Sequence, residues 1–135
     1  MFNLLRVLSY SNVSKKGLNQ LPRESGIYYF IDCFKVLYVG QGKSVYHRWQ
    51  SNHKHKPRFL KSWFARLHYR SVKEANLDLI EALEIKRFDP PLNIQKPDPE
   101  KYKNRIDRIM EEVYWIAGIA VLGVALIAIC LSRVL

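Results

Sequence analysis

Two tyrosines, Tyr28 and Tyr38, sit ten positions apart in the stretch ESGIYYFIDCFKVLYVGQGK, residues 24–43. Tyrosines suit half-buried pleated surfaces, so packing alone would account for them. The chemical reading is that adjoining strands deliver two hydroxyls to one place. Further along stand Arg48, ten residues after Tyr38, then Glu81, and Asn93 twelve residues after Glu81. At about 100° per residue of helix, Glu81 falls among Leu77, Ile80, Ile85 and Phe88. A carboxylate on an apolar stripe has to be paired, protonated or bound to a cation. Glu84 nearby raises the electrostatic cost unless a positive charge intervenes. For that helix alone, glutamates reaching out to basic neighbours are the simpler account.

Three strand-like runs and two helices would have to hold these groups. GIYYFID puts Ile27, Tyr29 and Ile31 on one side and Tyr28 and Phe30 on the other. KVLYVG alternates too, with Tyr38 on the side of Val36 and Gly40. With Asp32–Phe34 as the loop, the runs form an antiparallel hairpin with Tyr28 opposite Tyr38, Cβ atoms about 4.5–5.5 Å apart. QGKS reads as a turn with Ser44 as N-cap, leading into the helix SVYHRWQSN and the basic loop HKHKPR. RLHYRSV is the third strand. EANLDLIEALEIKRFD is a helix stopped by Pro90 and Pro91. Gly40 and Gly42 serve close approach and turn geometry rather than nucleotide binding. Residues 1–20 are weakly patterned and read as a lead-in with room for one short strand.

The net charge of +10 is unevenly spread: between Asp32 and Glu74 there is no acidic residue, but ten Lys and Arg and all four histidines. Aromatic residues are interleaved through this interval, from Tyr46 to Tyr69. Such a stretch suits a polyanion partner, while a solvated face or attraction to anionic lipid would use the same charge. His47, His53, His55 and His68 have no Cys or carboxylate close in sequence to complete a metal site. They read as phosphate contacts or solvated side chains.

From Val113 to Leu131, nineteen residues run without a charge. As a helix this run is about 28 Å long, close to a bilayer core of about 30 Å. Tyr114 and Trp115 stand where amphipathic rings favour the interface. Lys101, Lys103, Arg105 and Arg108 precede the run and only Arg133 follows it, which keeps the N-terminal domain on the cytoplasmic side. Cys33 and Cys130 cannot easily pair, in keeping with a reducing compartment.

Taken together, LPRESGIYYF, LYVGQGKSVYHR and LIEALEIKRFDPPLN, with the intervals between them, resemble the GIY-YIG nuclease family over residues 21–93. The resemblance implies an α+β fold, here a small three-stranded antiparallel sheet flanked by helices. It also implies a catalytic set of Tyr28, Tyr38, Arg48, Glu81 and Asn93, with Glu81 as the metal-binding glutamate and Mg²⁺, or Mn²⁺ in its place, as cofactor. The chain departs from the family in having YVG for YIG. It also has Asn52, with His53 one place on, where the family often has tyrosine or histidine. The roles fit in-line cleavage of a phosphodiester, which requires an activated water, neutralised phosphoryl charge and a stabilised leaving oxygen. A single carboxylate suits Mg²⁺, which keeps most of its waters. Arg48 offers a planar fork to non-bridging oxygens. Beside Arg48 or Lys43 a tyrosine's phenolate becomes more accessible, and Tyr38, nearer Arg48 in sequence, is the candidate base.

The expected layout is a lead-in (1–20), a nuclease domain (21–96), a charged linker (97–112), a membrane span (113–131) and a tail (132–135). Lys43, His53, Lys54, Lys56, Arg58 and Lys61 are the expected nucleic-acid contacts, with DNA preferred to RNA. Two other classes stay open. One is a membrane-anchored module that holds nucleic acid without cutting it; the other is a membrane adaptor with its basic face on lipid.

Overall fold

A computed structural model of the chain describes residues 2–102 together with 104 and 107. The expected span over 113–131 and the tail lie outside the described residues. Among the described residues no helix is long and apolar enough to cross a membrane. Met1–Pro99 make one compact unit. Its elements run α1 (Phe2–Leu8), β1 (Ser11–Val13), β2 (Gly26–Asp32), β3 (Lys35–Gly42), α2 (Val45–Gln50), α3 (Lys56–Lys61), β4 (Arg66–Ser71) and α4 (Leu77–Phe88). Short 3₁₀ turns at Lys15–Gln20 and Glu74–Asn76 join them.

The sheet has four strands, not three, in the order β1-β4-β2-β3, all antiparallel. The fourth is β1, whose three residues give too short a run for alternation to stand out. Helices cover both faces. On one face Tyr28, Phe30, Tyr38, Trp49, Phe59 and Leu67 pack together under α2 and α3. On the other, Ile27, Tyr29, Ile31, Val36 and Val39 pack against Val7 of α1 and Leu77 and Ile85 of α4. Residues 1–20 thus contribute to the core through Val7, Val13 and Leu18. Each fully buried large side chain contributes roughly 1.5–3 kcal/mol.

Three local features set the frame of the site. The hairpin turn is Cys33–Phe34, both at positive φ (46° and 60°), the two-residue geometry whose twist matches antiparallel strands. Ser44 caps α2, its hydroxyl accepting from the His47 backbone N–H at 3.3 Å. α4 ends at Asp89, at φ 44°, immediately before Pro90. The stretch read as the basic loop HKHKPR instead starts α3, with Pro57 in its first turn, where the missing N–H costs nothing.

Candidate active site

The strand register differs from the expected one. Tyr38 faces Phe30 across the ladder and Tyr28 faces Gly40, with a shift between Phe30 and Ile31. Near the turn, Ile31 pairs with Val36 and Asp32 with Lys35. Continued without interruption, that register would pair Tyr38 with Tyr29 and put it on the opposite face. Leu37 is the extra residue, a bulge that re-aims everything after it. Leu37 and Tyr38 therefore share the face of Tyr28 and Phe30, while Val36 stays on the other. The tyrosine rings end 6.2 Å apart, as diagonal neighbours rather than opposed ones. Gly40 makes room for them.

Tyr28 is fully buried and its hydroxyl lies 3.0 Å from His53 Nε2. His53 stacks on Trp49 at 4.4 Å and 11°, and the His55 backbone N–H donates to its Nδ1 at 3.2 Å. A ring nitrogen that accepts carries no proton, so the neutral imidazole is protonated on Nε2 and donates to Tyr28. Burial, then Arg48 and His55, lower His53 to about 4. His53 is therefore corrected from a nucleic-acid contact to an interior residue, only 2% exposed.

Burial pushes Tyr28 well above the ordinary tyrosine value, the nearby Tyr38 adds to this, and Arg48 opposes it. Tyr38 is also raised, first by burial and then by Glu81, again against Arg48. The phenolate of Tyr38 is thus less accessible in the protein alone than the sequence suggested. Lys43 gives it no help, being exposed and ion-paired with Glu74. Arg48, on α2, is raised first by its hydrogen bond and charge interaction with Tyr28, and also by Tyr38 and Glu81.

The two glutamates of α4 separate cleanly. Glu84 is 3% exposed and held by Arg6 and Arg87, each at 2.8 Å, with Arg70 at 3.8 Å. Glu81 has no cation within ion-pair distance among the described residues. Its Oε2 accepts from Gln41 Nε2 at 2.9 Å, and the same amide donates to Asp78 Oδ1 at 2.7 Å. Burial first, and Asp78 further on, raise the Glu81 carboxyl above its usual range. An acid partly withdrawn from water and lacking a counter-charge fits a hard cation, which would reverse both costs. Among the described residues no three or more His, Cys, Asp or Glu gather as a metal cluster, so a cation here would rely on Glu81 and on oxygens outside the protein.

Tyr38, Lys54, Glu81 and Asn93 line one open cleft of about 600 Å³. Asn93 is buried and clamps the free edge of β3: its Oδ1 accepts from Val39 N–H at 2.9 Å and its Nδ2 donates to the Val39 carbonyl at 2.8 Å. Lys54 Nζ sits 5.6 Å over the Tyr38 ring. Of the other basic residues, Lys56 donates to the Gln50 carbonyl at 3.3 Å, and Arg58 and Lys61 are exposed on α3. The residues missed from sequence are Gln41, hidden in what read as a turn, and the interior role of His53. The one signal for His53 was its place beside Asn52.

No family model matches the chain and no curated protein matches it. Among solved structures it is similar to the N-terminal GIY-YIG endonuclease domain of UvrC from Thermotoga maritima bound to magnesium. That likeness is 20% identical over 59% of this chain and 94% of that one, with a TM-score of 0.48. Two point mutants of the same domain, each bound to its catalytic divalent cation, are 20% and 19% identical, covering 60% of this chain and 94% of theirs at the same TM-score.

Proposed function

We propose that the domain is a divalent-metal-dependent endonuclease of the GIY-YIG type, cutting DNA one strand per site, and that residues 113–131 hold it at a membrane. The observation that carries the chemistry is the cleft in which Tyr38 and Lys54 meet Glu81, which has no ion-pair partner among the described residues, with Tyr28 and Arg48 behind them. The tether rests on the uncharged run and the basic residues before it.

A Mg²⁺ ion on Glu81 would neutralise charge on the phosphoryl oxygens. Tyr38, in its phenolate form, takes the proton of the attacking water as a new P–O bond forms in line with the bond to the leaving sugar oxygen; that bond breaks and the released oxygen is protonated by solvent water. Tyr28 accepts from His53 Nε2–H, so its own proton is free to point to Tyr38, where it stabilises the phenolate that must be present before the water is deprotonated. Arg48 bonds the non-bridging oxygens, and Lys54 meets the backbone beside them.

The test incubates the full chain in detergent with supercoiled plasmid, single-stranded DNA and RNA, in Mg²⁺ and in EDTA, beside Glu81→Ala. Metal-dependent nicking that disappears in the variant, with nucleic-acid binding retained, is the expected result. Salt-sensitive binding with no product in Mg²⁺ or Mn²⁺ would move the assignment to a tethered binding module.

A further inference from the structure

The turn end of the β2–β3 hairpin exposes large aromatic residues. Phe34 is 77% exposed, Phe64 75% and Trp63 86%. Phe34 sits at φ 60° in a turn position that ordinarily takes Asn or Gly. A bulky residue held there is strained, and Phe34, so exposed, gains little packing in return. Phe34 and Phe64 line a largely apolar pocket of about 350 Å³, walled behind by Leu8 and Ile31, with Arg66 among its lining residues. Lys15 Nζ lies 4.5 Å over the Trp63 ring, and Lys35 and Lys61 are exposed beside Phe34 and Trp63 in the chain. Apolar rings among cations are the make-up of an interface-seeking surface.

We propose that this aromatic end docks on an anionic membrane surface. Trp63, Phe64 and Phe34 enter the headgroup region, while Lys15, Lys35, Lys61 and Arg66 meet lipid phosphates. The proposal rests on the membrane tether proposed above. Thirteen residues lie between Pro99 and Val113, fourteen steps of the chain and a reach of at most about 50 Å, so a bilayer holding 113–131 is within range of the domain. The aliphatic pocket walls suit acyl carbons better than the polar edges of a stacked base. Gln41, which holds Glu81, lies seven positions along β3 from Phe34, roughly 20 Å at the rise of a strand. Docking by the turn therefore leaves the Glu81 end of the cleft clear of the lipid.

Trp63 itself can report the contact. The full chain, with Trp115→Phe so that Trp63 and the buried Trp49 are the remaining indoles, is reconstituted in vesicles of phosphatidylcholine with brominated acyl chains, with and without phosphatidylserine. Expected is about a twofold loss of Trp63 emission in the phosphatidylserine vesicles, relieved by salt and absent in a Phe34→Ser, Phe64→Ser variant of unchanged melting temperature. A chain that floats with the vesicles while Trp63 stays unquenched overturns the docking and leaves the tether standing. A chain that floats with neither vesicle overturns both. Protection of Trp63 by a single-stranded oligonucleotide, with no quenching by lipid, overturns the proposal in favour of a stacking platform. The plasmid assay decides the nuclease reading independently.

Discussion

Gly40 lies against Tyr28 so closely that a Cβ added to it would stand 2.6 Å from the tyrosine hydroxyl and 2.7 Å from the Tyr38 ring. Its φ is not in the left-handed region, so what matters here is space and not backbone freedom. The glycine of YVG thereby sets the height at which both hydroxyls sit.

Gly40→Ala should therefore push both rings out of place. Overpacking of this kind costs about 1–3 kcal/mol of stability. Nicking should fall by about a hundredfold or more, because displaced catalytic groups lose rate steeply. Plasmid nicking rates and a thermal melt on one preparation measure the two effects. Activity close to that of the parent would mean that the tyrosine pair does not need this geometry.

Gln41 is the sole hydrogen-bond donor holding the Glu81 carboxylate among the described residues. Gln41→Leu should weaken Mn²⁺ binding about 10- to 100-fold, the usual loss when a group orienting a metal ligand is removed. The domain should stay folded, because the amide is not part of either core. Calorimetric titration with Mn²⁺ reads the affinity. An unchanged value would take the cation away from Glu81.

The pH profile should carry the marks of Glu81 and Tyr38. Glu81 is raised above its usual range, so metal binding and cleavage fade on acidification before an ordinary exposed glutamate would titrate. Tyr38 is raised as well, so the log of kcat/KM should climb steadily with pH through the alkaline range. In Tyr38→Phe the alkaline rise should vanish while the acid limb remains. A profile unaltered by that substitution would pass the role of base to another group.

His53 should govern stability at mildly acid pH. Its folded-state value of about 4 lies below the ordinary 6.5. Between those values the unfolded chain binds a proton that the folded chain refuses. Stability is thus full above about pH 6.5 and declines as the pH falls towards 4, by up to about 3 kcal/mol. His53→Gln should flatten that slope in urea melts taken across the window. His55 and His68 are lowered in the same sense, so some slope should persist.

Much of the site could be read from sequence because its groups sit on strongly patterned elements. The alternating runs placed Tyr28 and Tyr38 on strands, and the double proline bounded the helix of Glu81. The bulge was not legible. A one-residue insertion leaves the alternation on each side intact, so KVLYVG gives no sign that Val36 and Tyr38 face opposite ways. The separation of Glu81 from Glu84 depends on Arg6, 78 positions from Glu84, a distance over which helical spacing says nothing. The basic interval read correctly as basic, but charge alone could not tell the exposed Arg58 from His53, whose ring is taken up by Trp49 and Tyr28.

The Asn93 clamp also bears on association between chains. β3 is an outer strand of the sheet, and an open strand edge invites pairing with the edge of another molecule. At Val39, next to Tyr38, the outward donor and acceptor are both taken by one side-chain amide, and two positions back the Leu37 carbonyl accepts from Leu92 N–H at 3.0 Å. The segment after α4 thus imitates a fifth strand over a few atoms. Opening it would expose the tyrosine strand as a template for aggregation, so Asn93 guards the solubility of the domain as well as its cleft.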